Sequence, residues 1–314
     1  MSRGWKIVLG IVIALAVVYA VAVGLLVWIG GGGNGRTGGS GTVGVIELDG
    51  VILASSDASF FGGGGIDPIW TAETLRDADH DDGIDAVVLR VNSPGGSPAA
   101  AWEIYRAVQT MSKPVVVSVG DIDASGAYYF SSAADLIVAA PASVVGSIGV
   151  ILEAQNLQEL LDKVGIRYTV LTRGKYKDIG NPTREMTSEE KAILERQLDA
   201  VYEQFIADVA AGRPNLDEDQ VRALATGLAY PGQEALDLGL IDRLGSYRDA
   251  LDAAALAAAL PVDDYGVTYL EPEYGGDPLS WLLGVEAGDV LRGVGRGIAS
   301  GLRDGFAGGR LRLE

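Results

Sequence analysis

The chain has 314 residues, no cysteine and a single histidine, His80. Disulfides, thiolate metal sites and multi-histidine metal sites are therefore excluded, and a histidine-based triad is nearly so. The formal net charge is −18, and arginine outnumbers lysine among its few basic residues. That balance argues against a nucleic-acid partner, which needs a basic stripe. It predicts a self-repelling, heavily hydrated acidic surface, suited to a halophile in whose salt the repulsion is screened.

Residues 7–29 are apolar and uncharged (IVLGIVIALAVVYAVAVGLLVWI). As a helix rising about 1.5 Å per residue, this stretch spans a hydrocarbon core of about 30 Å. Trp5 and Trp28 sit at its two ends, where interfacial rings belong. Arg3 and Lys6 precede it and only Arg36 follows closely. The bias predicts a cytoplasmic N-terminus and an extracytoplasmic body, single-pass in the cell membrane. The run is long for a cleaved signal and ends in no small-x-small site, so residues 1–30 read as an uncleaved anchor in the lipid bilayer. Residues 31–41, rich in glycine, follow as a flexible tether.

The body, residues 42–260, alternates strand and helix signals. Strands are predicted over 42–48, 84–91 (IDAVVLRV), 114–119 (PVVVSV), 136–139, 144–152 and 167–171. Helices are predicted over 68–80, 99–111, 125–134, 157–164, 187–211, 217–225, 233–238 and 249–260. Thr187 and Glu190 form a capping box at the start of the long helix. Residues 120–124 (GDIDA) read as a loop. Apolar β-branched strands separated by helices imply βαβ crossovers, an α/β fold and a mostly parallel sheet. The extension 261–314 is rich in glycine with short amphipathic pieces, and 291–303 is a candidate cover for the substrate groove or the assembly, set against a surface packing helix.

Three segments can carry chemistry. Ser125 opens a helix after a buried strand (DIDASGAYYF). A hydroxyl there projects from the strand's C-terminal edge, beside unpaired helix N–H groups that suit an oxyanion, although a serine at that place is often only a cap. Gly126 adds an unobstructed N–H. In NSPGGS, residues 92–97, Gly95 and Gly96 permit a close backbone approach, and the N–H of Gly96 could complete an oxyanion hole. The segment RGKYKDIGNPTREMT offers Lys175 and Lys177. His80, inside the acidic run DADHDDG, reads as a solvated surface residue and a poor base. A lysine can serve instead if its pKa falls from about 10.4 towards 7, which destabilises the ammonium by roughly 4–5 kcal/mol. Burial must supply that, and the acidic field of this chain opposes it. The working lysine must therefore be shielded from carboxylates.

Taken in order, VNSPGGS, DIDASGAYYFSSAAD, GSIGVI and GKYKDIGNPTREMTSEE resemble the signal peptide peptidase A family of serine peptidases, in its short, single-repeat form. The resemblance covers residues 42–244. It implies a crotonase-like (ClpP-like) fold of ββα units, and a Ser/Lys dyad needing no cofactor and no metal. It matches Ser125 to the nucleophile, Lys177 to the general base in preference to Lys175, and Ser147 to a serine that orients the base. It implies a homo-oligomeric ring with the dyad completed between neighbouring subunits. It further implies peptide substrates, above all signal peptides left in the membrane after processing. Rival readings are an acyl-CoA enzyme of the same broad fold, a non-catalytic membrane scaffold, and a relative that cleaves a membrane partner such as a stomatin-like protein.

Overall fold

The structure is a computed structural model that describes residues 40–53 and 65–271. The expected anchor over 7–29, its tether as far as residue 39 and the tail beyond 271 lie outside the described residues. Among the described residues no helix is long and apolar enough to cross a membrane.

The centre of the body is a sheet whose strands follow from β-branched, uninterrupted apolar runs. Strands β1 (Thr42–Asp49), β4 (Ala86–Ser93) and β5 (Val115–Ala124) lie side by side and parallel. β6 (Leu136–Ala139) and β9 (Arg243–Leu244) extend one edge, and β10 (Gly266–Tyr269) pairs with β1 at the other. Val45, Val88, Val116 and Leu136 form one register row across four strands. Alternation along β4 feeds two cores. Val87, Leu89 and Val91 point to one face, Ala86 and Val88 to the other, and none of the five is exposed to solvent. Burial on both faces is what a parallel sheet with helices on each side requires.

The first face is covered by α1 (Pro68–His80), α2 (Pro98–Gln109), the short α3 (Gly126–Ser131) and α5 (Ser188–Gly212), which bury Leu75, Ile104, Phe130 and Ile206 among them. α4 (Gln158–Val164) precedes α5 in the chain and buries nothing. α6 (Glu218–Leu224) and α7 (Gly232–Asp237) add Val221 and Ala235 to the same core. The second face is covered by α8 (Tyr247–Ala257) through Ala250, Leu251, Ala254 and Ala255. The capping box at Thr187 and Glu190 is present.

Three expectations are corrected. Residues 120–124 are strand, not loop. β5 runs on past Ser118, leaves β6, and pairs Ile122, Asp123 and Ala124 with Val144, Val145 and Gly146 of β7 (Val144–Gly146). The irregularity that glycine and aspartate signalled is real but is a register shift between Val91 and Ser93 of β4. Asn92 bridges it, its Oδ1 accepting from the N–H groups of Asp121 (3.2 Å) and Ile122 (3.3 Å). The strand expected over 144–152 stops at Gly146, because Gly146 and Ser147 take positive φ angles of 101° and 51°. No strand forms over 167–171, which lies exposed with no sheet edge beside it. The short β2 (Val51–Ile52), β3 (Gly65–Ile66) and β8 (Ala229–Pro231) were not foreseen.

The extension of β5 buries a carboxyl. Asp123 is fully buried, accepts a 3.1 Å hydrogen bond from Ser131 Oγ on Oδ1, and has no partner on Oδ2 among the described residues. Loss of hydration favours the neutral acid, pushing its pKa up to about 7 despite the opposing Ser131 hydroxyl. The unfolded chain gives up that proton near pH 3.9. The folded chain therefore holds a proton that the unfolded chain has lost, and stability falls as pH rises from about 4 to about 7. Urea midpoints across that window should decline more steeply for the native chain than for Asp123→Asn, which keeps the shape without the titration.

Candidate active site

Ser125 stands where β5 passes into α3, with φ 55° and ψ −123°. A non-glycine residue in that region is strained by about 1–3 kcal/mol and persists only where its surroundings enforce it. Here they do. The N–H of Ser125 donates to Gly146 O at 2.7 Å, and its carbonyl accepts from Tyr129 N–H at 2.9 Å. Although Ser125 occupies the cap position of α3, its hydroxyl makes no capping hydrogen bond. The capping alternative that the sequence left open is thus not realised. The hydroxyl is half-buried at the floor of a cleft.

The glycine loop after β4 presses against this turn. A Cβ on Gly95 would lie 2.7 Å from Gly126 N and 2.9 Å from Ser125 Cβ, and a Cβ on Gly96 would meet Ile52 O at 2.2 Å. Only glycine fits either place. Ile52 donates to Gly95 O and accepts from Ser97 N–H, which leaves the N–H of Gly96 outside this bridge. Gly126 is the first residue of α3, so its N–H has no intrahelical acceptor. A Cβ placed on Gly126 would lie 3.4 Å from Gly96 N, so the two backbones are close neighbours. Both glycines line the cleft with Ser125.

The cleft is also lined by apolar side chains missed in the sequence: Tyr129, Val150, Ile151, Val201 and Phe205. The signal for two of them was the four-residue spacing of Val201 and Phe205 on α5. The wall is held firmly. The Tyr129 ring centroid lies 5.2 Å from that of Tyr105 and 4.6 Å from that of Phe205, and its hydroxyl donates to Asp208 on α5. Burial and that carboxylate raise the pKa of the Tyr129 phenol. Beneath, Tyr128 is wholly buried and donates to Leu240 O at 2.8 Å.

Ser147 lies one position beyond the register pair Ala124↔Gly146, just as Ser125 does on the neighbouring strand. Its N–H donates to Leu228 O (2.9 Å) and its Oγ to Gly227 O (3.2 Å). Neither of these hydrogen bonds involves Lys177.

Lys177 is in a turn before α5, where its N–H donates to Gly174 O at 3.3 Å, and its side chain is exposed. Among the described residues no lysine, Lys177 included, lines the Ser125 cleft. The two candidate lysines are nevertheless distinguished. Lys175 Nζ is bound to both carboxylate oxygens of Glu189, at 2.8 and 2.7 Å, which raises its pKa and holds it as ammonium. Lys177 Nζ has no ion pair or side-chain hydrogen bond among the described residues. His80 is exposed, its Nδ1 against Arg76 O at 2.7 Å, remote from the cleft as the acidic run implied. Among the described residues no group of acidic or histidine side chains is placed to hold a metal ion.

Residues 107–261 match the profile of Peptidase family S49. A Synechocystis protein named "Putative protease" is 43% identical over 188 residues, covering 59% of this chain and 68% of the relative. An Enterococcus faecium protein named "Putative signal peptide peptidase SppA" is 31% identical over 240 residues, 76% of this chain and 69% of the relative. Two solved structures of the 1510-N membrane-bound stomatin-specific protease superpose with a TM-score of 0.50 at 17% identity, covering 74% and 78% of this chain and 99% of each of theirs. One carries a serine-to-alanine mutation, and the other carries a lysine-to-alanine mutation and holds a substrate peptide. The structures share the mixed α/β fold with its central sheet, and the sequence relatives set aside the acyl-CoA and scaffold readings. The chain belongs to peptidase family S49, the signal peptide peptidase A family of serine peptidases.

Proposed function

We propose that this chain is a membrane-anchored serine endopeptidase that hydrolyses peptides through a Ser125/Lys177 dyad. The observation that carries the proposal is Ser125 itself: a strained, uncapped serine facing a cleft beside the N–H groups of Gly96 and Gly126. In this mechanism neutral Lys177 accepts the hydroxyl proton as Ser125 Oγ bonds to the peptide carbonyl carbon. The carbonyl oxygen takes the negative charge and is held by the two N–H groups. Protonated Lys177 then gives its proton to the leaving amine as the C–N bond breaks. Water, deprotonated by the same lysine, releases the acyl group from Ser125. No cofactor enters.

The separation of Lys177 from Ser125 within one chain favours a dyad completed between copies. Residues 151–187 support that reading. They leave Ile151 79%, Val164 59%, Tyr168 67% and Leu171 88% exposed, and no residue of α4 is fully buried. A segment this apolar and this bare calls for a partner surface, and a second copy in a homo-oligomeric ring supplies one. In the ring, Ser147 would turn its hydroxyl to the incoming lysine and orient it. A ββα, crotonase-like lineage belongs to the same reading.

The apolar wall of Tyr129, Val150, Ile151, Val201 and Phe205 suits apolar side chains. With residues 7–29 as a single-pass anchor and the catalytic body outside, the substrates that fit best are remnant signal peptides at the bilayer. Cleavage of a membrane partner uses the same chemistry and is separated from this by substrate profiling. The acidic surface suits work in high salt.

Two outcomes follow. Ser125→Ala and Lys177→Ala should each lower hydrolysis of an apolar fluorogenic peptide by at least about 10³-fold with assembly intact, whereas Lys175→Ala should not. Mixing the two inactive variants after subunit exchange should restore up to about a quarter of native activity, since a heterologous interface can pair an intact serine with an intact lysine. A mixture as inactive as its components would place the dyad within one chain.

A further inference from the structure

In the proposed mechanism Lys177 acts as a neutral amine in a chain of net charge −18. The contacts around its turn bear on how it does so. Asp178, its immediate neighbour, accepts from Arg184 Nε at 3.0 Å on Oδ2 and from Arg184 Nη2 at 3.2 Å on its carbonyl. The same guanidinium reaches Glu190, with Nη1 to Oε2 at 2.8 Å and Nη2 to Oε1. Glu190 also caps α5 by accepting from Thr187 N–H at 2.9 Å. Glu189 is bound by Lys175 and by the Tyr176 hydroxyl. Asp178, Glu189 and Glu190 are thus each engaged by a cation other than Lys177.

We infer that Arg184 and Lys175 form a charge-sequestering clamp: Arg184 is a positioning residue that ties the Lys177 turn to the head of α5, and the pair together withholds Asp178, Glu189 and Glu190 from Lys177. The inference rests on Lys177 being the base. Arginine suits the task because its planar fork binds Glu190 through two nitrogens while a third grips Asp178, which an ammonium cannot do. Glu190 is nearly buried, its side chain 5% exposed, so the network has a fixed floor. Arg184 holds Asp178 and Glu190 well below the usual carboxylate range, Glu190 at about 2, so both stay charged and bound throughout the working pH range. Other charges on these elements include Arg173 and Glu185 on the same connection, Lys191 and Glu195 near the head of α5, and Asp162 and Glu159 of α4, the last paired with Lys163 at 3.6 Å.

The sign of the effect is fixed. A released carboxylate favours the ammonium of Lys177, so the acidic limb of kcat/KM, which reports the neutral lysine, must move to higher pH. In the full-length assembled protein, Arg184→Gln should lower kcat/KM for the apolar peptide about three- to tenfold at pH 7 and raise the limb by about half to one pH unit. Lys175→Gln, which frees Glu189 without touching the turn's anchor, should raise the limb in the same direction. Asp178→Asn should lower it, and added to Arg184→Gln should reverse much of that variant's shift. All these shifts should shrink in 1 M salt, where the screening length is about 3 Å. A clamp that matters only for folding would lower activity with the limb unmoved, and limbs unmoved in both Lys175→Gln and Asp178→Asn would overturn the inference even if Arg184→Gln failed to assemble. Lys177→Ala run alongside separates the two readings: full activity there removes the lysine base itself, while its loss with unmoved limbs refutes the clamp alone.

Discussion

The site depends on one close approach: the glycine loop after β4 lying against the turn at Ser125. A single methyl group at Gly95 would collide with Gly126 N and Ser125 Cβ, and one at Gly96 would collide with Ile52 O. The turn is fixed from below by the pairing of β5 with β7, which delivers Gly146 O to the Ser125 N–H. From behind, Tyr128 and Tyr129 tie α3 to Leu240 and Asp208. The strained φ of Ser125 is therefore held on three sides, and the serine needs no conformational change to present its hydroxyl. The two backbone N–H groups come with that geometry and not from any added side chain.

Charge is the second constraint, and it acts through pairing more than through burial. The chain carries 42 acidic against 24 basic residues, which would hold any lone surface lysine protonated. Around residues 175–190 Asp178 and Glu190 are tied to Arg184 and Glu189 to Lys175. The exposed Lys175–Glu189 pair adds little to stability, and in the proposed clamp its worth lies in the field it removes. The remaining desolvation that a lysine base requires is supplied, in the proposed assembly, by the neighbouring copy.

Much of this was legible in the sequence, for identifiable reasons. β4 and β6 declared themselves because buried parallel strands are continuous β-branched runs, and the head of α5 because Thr187 and Glu190 are a capping pair. Ser125, Gly96 and Gly126 were legible because strand, turn and helix signals meet at them. The extension of β5 was not, because Gly120 and Asp121 carry turn chemistry that Asn92 on the adjacent strand satisfies, and no local window sees across strands. Residues 167–171 looked like a strand because alternation records which residues are apolar but not whether a sheet edge is near. The cleft's apolar wall was hidden for the same reason: Phe205 and Tyr129 are far apart in the chain and meet only when α5 folds over α3. The Arg184 clamp was equally hidden, since nothing in PTREMTSEE says which carboxylate the arginine takes.

The central claim is that Ser125 is a nucleophile activated by Lys177. Its most direct test is labelling of the full-length protein in membranes with a serine-directed fluorophosphonate, followed by mass-spectrometric mapping of the adduct. The account predicts one adduct, on Ser125, that is greatly slowed in Lys177→Ala and slowed at most a few-fold in Lys175→Ala. An adduct on another serine, or labelling of Ser125 at the native rate without Lys177, would contradict it.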